Sequence, residues 1–255
     1  MVEVIFLGVG EAFDQALPNT SILIRWREGL VPVTMVLDCG FTAPPEFWRM
    51  QTAVDELDAI WISHFHGDHS LGLPALLVRF WQEGRGKLLT VLGQKGIESF
   101  TRAAIDLAYQ GFYKKLGFPL RFVEVEPGRT VEMSGLTLRT AENSHSRRDL
   151  GLRIDAQDTS VYYSGDGRPT PESMALAKGS QLMIHEAYRV ETEAPGHGTV
   201  KGALDMAGEC GAVNLALVHV ERGERREAIK RVPEFNGFTE SLRVVVPEPG
   251  HRMTL

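Results

Sequence analysis

Short apolar runs closed by glycine open the chain. Val2–Leu7 ends at Gly8-Val9-Gly10, Ser21–Trp26 alternates in part, Val33–Leu37 ends at Asp38-Cys39-Gly40, and Ala59–Ile62 precedes Ser63-His64. Runs this short, rich in Val and Ile, predict strands. The period then changes. Leu73, Leu76, Leu77, Phe80 and Trp81 fall on one helical face, with Ser70 as the expected N-cap. Leu88–Leu92 predicts a strand, and Ile97, Phe100, Ala104, Leu107 and Ala108 a second helix. From Leu120 to Gly165 strands return, broken at Pro127-Gly128, Ser134-Gly135 and near Asp158. Val161–Ser164, Leu182–His185, Leu215–Val220 and Leu242–Val246 predict further strands. Between them, Val200, Ala203, Leu204 and Ala207 mark a helical stripe, and Glu224–Arg231 a charged, exposed helix. No repeat or linker interrupts this order. It predicts an α/β (α+β) fold with two sheets between helix layers, in a single domain over residues 1–255.

Composition narrows the class. The chain has 255 residues, 43% hydrophobic, with a formal charge of −6. That is globular, and no stretch approaches the roughly 18 uninterrupted apolar residues of a membrane span. Cys39 and Cys210 are too few for a disulfide framework and read as reduced thiols. With no basic n-region at the N-terminus, no signal peptide is read, and a cytoplasmic location is expected. The acidic balance argues against a surface coated in positive charge for nucleic acid.

The chemistry concentrates in Ser63-His64-Phe65-His66-Gly67-Asp68-His69. Only 8 histidines occur in the chain, and three of them fall here, beside an aspartate. In an extended segment His64 and His66 point the same way. Gly67 permits a sharp turn, after which Asp68 and His69 face the same space. Imidazole and carboxylate together suit Zn and similar divalent ions.

His-x-His-x-Asp-His after a strand resembles the metallo-β-lactamase superfamily of metal-dependent hydrolases. The resemblance implies a four-layer αββα sandwich with the metal site at one edge. It covers nearly the whole chain, because further motifs follow in order. Asp38 looks like the supporting acidic residue of the first motif. His145, in Asn143-Ser144-His145-Ser146, looks like the third. Asp166, in Ser164-Gly165-Asp166-Gly167, looks like the carboxylate bridging two metals, and His219 like the last ligand. The implied assignment gives one metal His64, His66 and His145. The other takes Asp68, His69 and His219, with Asp166 and a hydroxide between them. Zn is the first expectation, with Mn or Fe as alternatives.

Two more motifs point to a branch. His185-Glu186-Ala187 and Gly196-His197-Gly198-Thr199 resemble the His-Glu-Ala-Thr and His-Ser-Thr motifs of ribonuclease Z, the tRNA 3′-endonucleases. Gly8-x-Gly10 with Asn19-Thr20-Ser21 resembles their N-terminal signature. The resemblance implies that His197 assists the leaving group and that Glu186 helps hold it. The departures are Tyr188 for Thr, Gly198 for Ser, and the short stretch from His145 to Asp166. In ribonuclease Z that interval carries the arm that grips the tRNA elbow. Here it suffices for a strand, a turn and a strand. Basic clusters are few: Lys114-Lys115, Arg147-Arg148, and Arg222–Arg231, which is interleaved with glutamates and reads as a solvated helix. Arg147 and Arg148 follow His145 closely and are candidates for a substrate phosphate, as is Thr199 for substrate contact. His185 reads as structural and His251 as bland. Trp81, Tyr109, Phe112 and Tyr113 read as core aromatics rather than pocket lining.

The expected activity is a dinuclear metal phosphodiesterase. Its substrate would be a small diester such as a cyclic nucleotide, a nucleotide diester or an aryl diester. Asp68 would orient the hydroxide, and His197 would protonate the leaving oxygen. The alternatives are an armless RNA 3′-end nuclease, a carboxylic ester, thioester or lactone hydrolase, and a non-catalytic metal-binding sensor. Expected partners are a small phosphodiester or ester, with RNA second and no membrane, and a homodimer is left open.

Overall fold

The computed structural model describes residues 1–27, 32–50, 52–238 and 242–255. Among these it contains two seven-stranded sheets. The first runs from β1 (Val2–Gly8) through β2 (Ser21–Trp26), β3 (Val33–Leu37), β4 (Ala59–Ile62) and β5 (Leu89–Gly93) to β6 (Leu120–Glu124). The second runs from β7 (Val131–Met133) through β8 (Leu136–Asn143), β9 (Asp149–Ala156), β10 (Thr159–Tyr163), β11 (Leu182–Glu186) and β12 (Asn214–Val218) to β13 (Arg243–Val245). A last strand, β14 (Arg252–Thr254), returns to pair antiparallel with β1.

Each sheet is antiparallel in its first half and parallel in its second. In the first sheet β1, β2 and β3 alternate in direction, and β3 to β6 run parallel. In the second, β7 to β10 alternate and β10 to β13 run parallel. Parallel neighbours need a crossover, and helices supply one each time. In chain order these are α1 (Ala43–Arg49), then α2 (Gly67–Ser70) with α3 (Leu73–Gln82), then α4 (Ile97–Ala108), which a 3-10 turn at Phe112–Lys115 follows. The second sheet uses α5 (Pro171–Ala177), α6 (Val200–Cys210) and α7 (Arg225–Phe238).

Period-two alternation sorts the strand residues into layers. Val4, Phe6, Ile22, Ile24, Leu37 and Trp61 meet Leu138, Leu152, Ile154, Tyr163, Ile184 and Val218 between the sheets. Their alternate neighbours Ile5, Leu7, Leu23 and Val36 pack outward on Phe47, Leu73, Leu77, Phe80 and Ile105. Met183, Leu215 and Leu217 pack outward on Val200, Ala203, Met206 and Phe235. This is the αββα sandwich expected.

The local differences have physical reasons. Ser70 is not the cap of α3. It closes the separate turn α2, where its hydroxyl donates to the His66 carbonyl at 2.6 Å, and α3 starts after Gly72 with Pro74 in its first turn. Helices α1 and α5 lie outside the periodic pattern because each opens on proline, which breaks a pattern but suits a first turn. The charged helix runs on to Phe238 through Pro233. It is not fully solvated, since buried Arg225 donates to the Pro247 carbonyl at 2.6 Å. The stretch between His145 and Asp166 is β9, a turn and β10, as its length predicts.

The turn after β3 presses directly on the histidine loop. A Cβ at Gly40 would lie 1.8 Å from the Asp68 carbonyl oxygen, and one at Gly72 would lie 2.1 Å from the Gly40 oxygen. Backbone is packed on backbone, so no side chain can yield. Gly40→Ala is expected to cost about 2 kcal/mol or more, read as a lower denaturant midpoint at unchanged m-value. A variant as stable as the parent would refute that packing.

Candidate active site

All seven expected ligands come from strand ends or the turns just beyond them, along one edge of the sandwich. His64 and His66 follow β4, and Asp68 and His69 sit in α2. His145 follows β8, Asp166 follows β10 and His219 follows β12. Two groups of ligand atoms form, each within 4.8 Å: His64, His66 and His145, and Asp68, His69, Asp166 and His219. Asp166 Oδ2 lies 3.5 Å from His219 Nε2 and 4.0 Å from both His64 Nε2 and His145 Nε2. That carboxylate therefore faces both groups, the position expected of a bridge.

Asp38 holds the site from beneath. It ends β3 at φ 59°, a left-handed conformation uncommon outside glycine. Its carboxylate accepts from the Ser63 N–H and hydroxyl at 2.7 Å each, from His69 Nδ1 at 2.7 Å and from the Tyr163 hydroxyl at 2.6 Å. His219 is also left-handed, at φ 56°. Two such residues in one site are the strain pattern of a functional centre.

The hydrogen bonds fix the imidazole tautomers. His64 Nδ1 is 3.0 Å from Asp149 Oδ1, and His145 Nδ1 donates to the Gly196 carbonyl at 2.5 Å. Each leaves Nε2 bare, and both bare nitrogens converge on His66 Nδ1, at 3.0 and 3.2 Å. Facing lone pairs repel unless a proton or a cation lies between them, and the three nitrogens can converge on one cation. His69 Nε2 and Asp166 Oδ1 are buried 3.3 Å apart, and neither has a well-aligned hydrogen bond among the described residues. Buried Asp38, Asp68, Asp149 and Asp166 also crowd negative charge that needs compensation. Orphaned ring nitrogens, an orphaned carboxylate oxygen and clustered acids fit two divalent cations.

Burial opposes a charge on His219, but Asp166 and the hydrogen bond that the ring donates to Asp68 push its imidazole up to about 9. His69 is likewise raised well above the ordinary range by Asp166 and Asp38, against burial. His64 goes the other way, held low by burial and by the charge on His69. Burial, then Asp166, pushes the Asp149 carboxyl well up.

The His197 side of the site has its own frame. Glu186 Oε1 accepts from the Gly167 and Gly198 N–H groups at 2.8 Å each, and Oε2 accepts from the Tyr188 N–H at 2.9 Å. It lies 3.4 Å from His197 Nδ1. Tyr188 stacks on the His197 ring, centroids 4.6 Å apart. One buried glutamate thus joins the residue after Asp166 to the residue after His197. Both His197 and Tyr188 line a cavity of about 440 Å³ together with Glu11, Phe13, Phe41, His66, Asp68, Asp166 and His219.

The three remaining sequence candidates stand away from this cavity lining. Arg148 is bound to Glu126 and Glu142, at 2.7 and 2.6 Å. Arg147 lies near the Phe65 ring, 5.9 Å from its centroid. Thr199 caps α6, its hydroxyl accepting from the Gly202 N–H at 3.0 Å. Trp81 and Tyr109 are not core but about half exposed, grouped with Phe112 on the outer helix layer. His185 is buried and bonds the Glu186 carbonyl. Sequence reasoning missed Asp149, Asn143 and Tyr163. Asn143 donates to Asp149 Oδ2 at 3.1 Å and to the Ser164 carbonyl at 2.6 Å. No local signal marks Asp149, whereas Tyr163 directly precedes the Ser-Gly-Asp motif.

Comparison with known proteins agrees with this geometry. The metallo-beta-lactamase fold protein YhfI of Bacillus subtilis superposes with a TM-score of 0.80 at 19% identity, over 99% of this chain and 98% of that one. Human tRNase Z, short form, gives 0.79 at 19%, with the same coverage. Ribonuclease Z of Methanosarcina acetivorans is 25% identical over 274 residues, covering 86% of this chain and 88% of that protein. The chain is therefore a ribonuclease Z-like, metal-dependent hydrolase of metallo-β-lactamase fold. Within that class it belongs to the family described as Anti-Pycsar protein Apyc1, whose model matches residues 2–244.

Two outcomes follow from the electrostatics. A ring must be neutral to ligate, and His69 and His219 are raised, so metal loading at pH 7 should release protons, with affinity rising as pH increases toward 9. Calorimetric titration with Zn in buffers of different ionisation enthalpy measures the release; no release would contradict the assignment. Asp149→Asn removes the charge that orients His64 and should weaken metal binding about 10–100-fold in competition with a chelating dye.

Proposed function

We propose that this hydrolase is a dinuclear phosphodiesterase for a small diester, a cyclic nucleotide first among them. The observation that carries this reading is the open-mouthed cavity of about 440 Å³ over the ligand cluster, a volume within the range of small-molecule sites. Two further features support it. A plain hairpin joins β9 to β10, with no protruding arm between His145 and Asp166. Among the described residues, no Lys or Arg lines the cavity to track a phosphate backbone.

His64, His66 and His145 would hold one divalent ion and Asp68, His69 and His219 another, with Asp166 shared and Zn the first candidate. Bound there, the ions would make hydroxide available at neutral pH and polarise a phosphoryl oxygen. The chain's own residues do the rest. Asp68 Oδ2 lies 3.2 Å from His69 Nε2 and 3.4 Å from His219 Nε2, placed to orient an attacking water. His197 faces the same cavity and would deliver a proton to the departing alkoxide through Nε2, with Glu186 Oε1 lying 3.4 Å from its other nitrogen. Tyr188, stacked on the ring, limits its rotation.

The second reading, an RNA 3′-end nuclease, is favoured by the relatives named Ribonuclease Z and by the Glu186–His197 pair. Metal-loaded protein assayed on cyclic mononucleotides, a bis-aryl phosphodiester, a precursor tRNA with a 3′ trailer, a thioester and a lactone separates them. Cleavage of the diesters with the tRNA intact is expected. Trailer removal, or thioester cleavage without diester cleavage, would replace the proposal. His197→Ala should lower kcat for an alkoxide leaving group about 10²–10³-fold with metal content unchanged. The loss should shrink for a nitrophenolate, which needs no proton to depart. An equal loss on both substrates would remove His197 as the acid.

A further inference from the structure

Two aromatic rings rim the active-site cavity, and nothing so far uses them. Phe13 is 79% exposed and Phe41 48%, yet both line the cavity that holds His66, Asp68, His197 and His219. A lone exposed ring is unremarkable in itself. These two differ because their backbones are tied down by one residue. The Asn19 side-chain amide donates to the Glu11 and Ala12 carbonyls at 3.4 Å each. Its oxygen accepts from the Thr42 N–H at 3.2 Å and the Thr42 hydroxyl at 2.8 Å. The residue before Phe13 and the residue after Phe41 therefore hang on the same side chain.

The supports continue on both sides. The Phe13 N–H donates to Glu11 Oε2 at 2.8 Å, and Asp14 accepts from the Ala16 and Leu17 N–H groups at 2.8 and 3.0 Å. Buried Glu11 is itself held by Arg222. Phe41 leans on the ligand turn: a Cβ at Gly67 would sit 3.6 Å from its Cε1. Rings held in place beside a catalytic cavity, with apolar faces open to water, suit a flat aromatic group of the substrate.

We infer that Phe13 and Phe41 are specificity-determining residues that stack the base of a nucleoside phosphodiester whose phosphate lies over the ligand cluster. This rests on the phosphodiesterase reading and names the part of the substrate it leaves open. The polar groups of the lining are already engaged at the reacting end or in holding the loop. Glu11 receives Phe13 and Arg222, and Tyr188 packs on His197. Stacking needs only a π-face.

The test compares two diesters on the metal-loaded enzyme: a nucleoside 3′,5′-cyclic phosphate, and the abasic 1-O-methylribose 3′,5′-cyclic phosphate. The parent should favour the base-bearing diester by roughly ten-fold or more in kcat/KM. Phe13→Ala and Phe41→Ala should each reduce that ratio, on the order of five-fold and mainly through KM, and Phe13→Trp should preserve it. Equal kcat/KM for the two diesters in the parent, or an unchanged ratio in both alanine variants, overturns the inference and leaves the phosphodiesterase reading standing. Hydrolysis of neither diester overturns that reading, and the inference falls with it.

Discussion

The carboxylate of Asp38 is the contact on which the site depends. It is buried at the end of β3 in a left-handed conformation, and its acceptors are filled by Ser63, His69 and Tyr163. Ser63 leads into the histidine turn, His69 is a candidate ligand, and Tyr163 belongs to the other sheet. One carboxylate therefore sets the start of the ligand turn, turns His69 Nε2 toward the cavity and pins the two sheets at the edge where the ligands gather. An unpaired buried carboxylate is strongly disfavoured, so these partners cannot drift apart without a large penalty.

A matching frame rises from the second sheet. Asp149 at the start of β9 takes His64 Nδ1 and the Asp166 N–H, so it orients one ligand and positions the backbone of another. Glu186 at the end of β11 links Gly167 to Gly198. The two carboxylates hold opposite sides of Asp166, which faces both groups of ligand atoms. Acids held in this way crowd negative charge in a buried region, and bound divalent cations would answer that crowding. The same pre-organisation limits how far any group must move during reaction.

Around this centre, the fold decides what can enter. In this chain the stretch from His145 to Asp166 is used up by β9 and β10, so nothing projects there to hold a large substrate. The mouth is shaped instead by the loop before β2 and the turn before α1, both tied to Asn19. The cluster of histidines and acids thus opens onto a cavity of small-molecule size.

The residues that gather at this edge were legible in the sequence. Metal chemistry demands particular residue types, strand ends are marked by apolar runs, and the order of motifs from Asp38 to His219 follows the chain. The alternating pattern also carried the layers, because period two sends successive strand residues into different cores. The orienting groups were not legible. Asp149 and Tyr163 act across strands and sheets, so their roles depend on register and on how two sheets meet, which no local pattern encodes. Arg148 shows the converse. It lies three residues from a ligand, yet Glu126 and Glu142 hold its guanidinium. Phe13 and Phe41 are far apart in the chain and become one rim only through Asn19. The sequence by itself determined which chemistry this protein can hold, since that rests on side-chain type. Tertiary structure alone decided how the ligands are oriented and what reaches them, since both follow from contacts between segments distant along the chain.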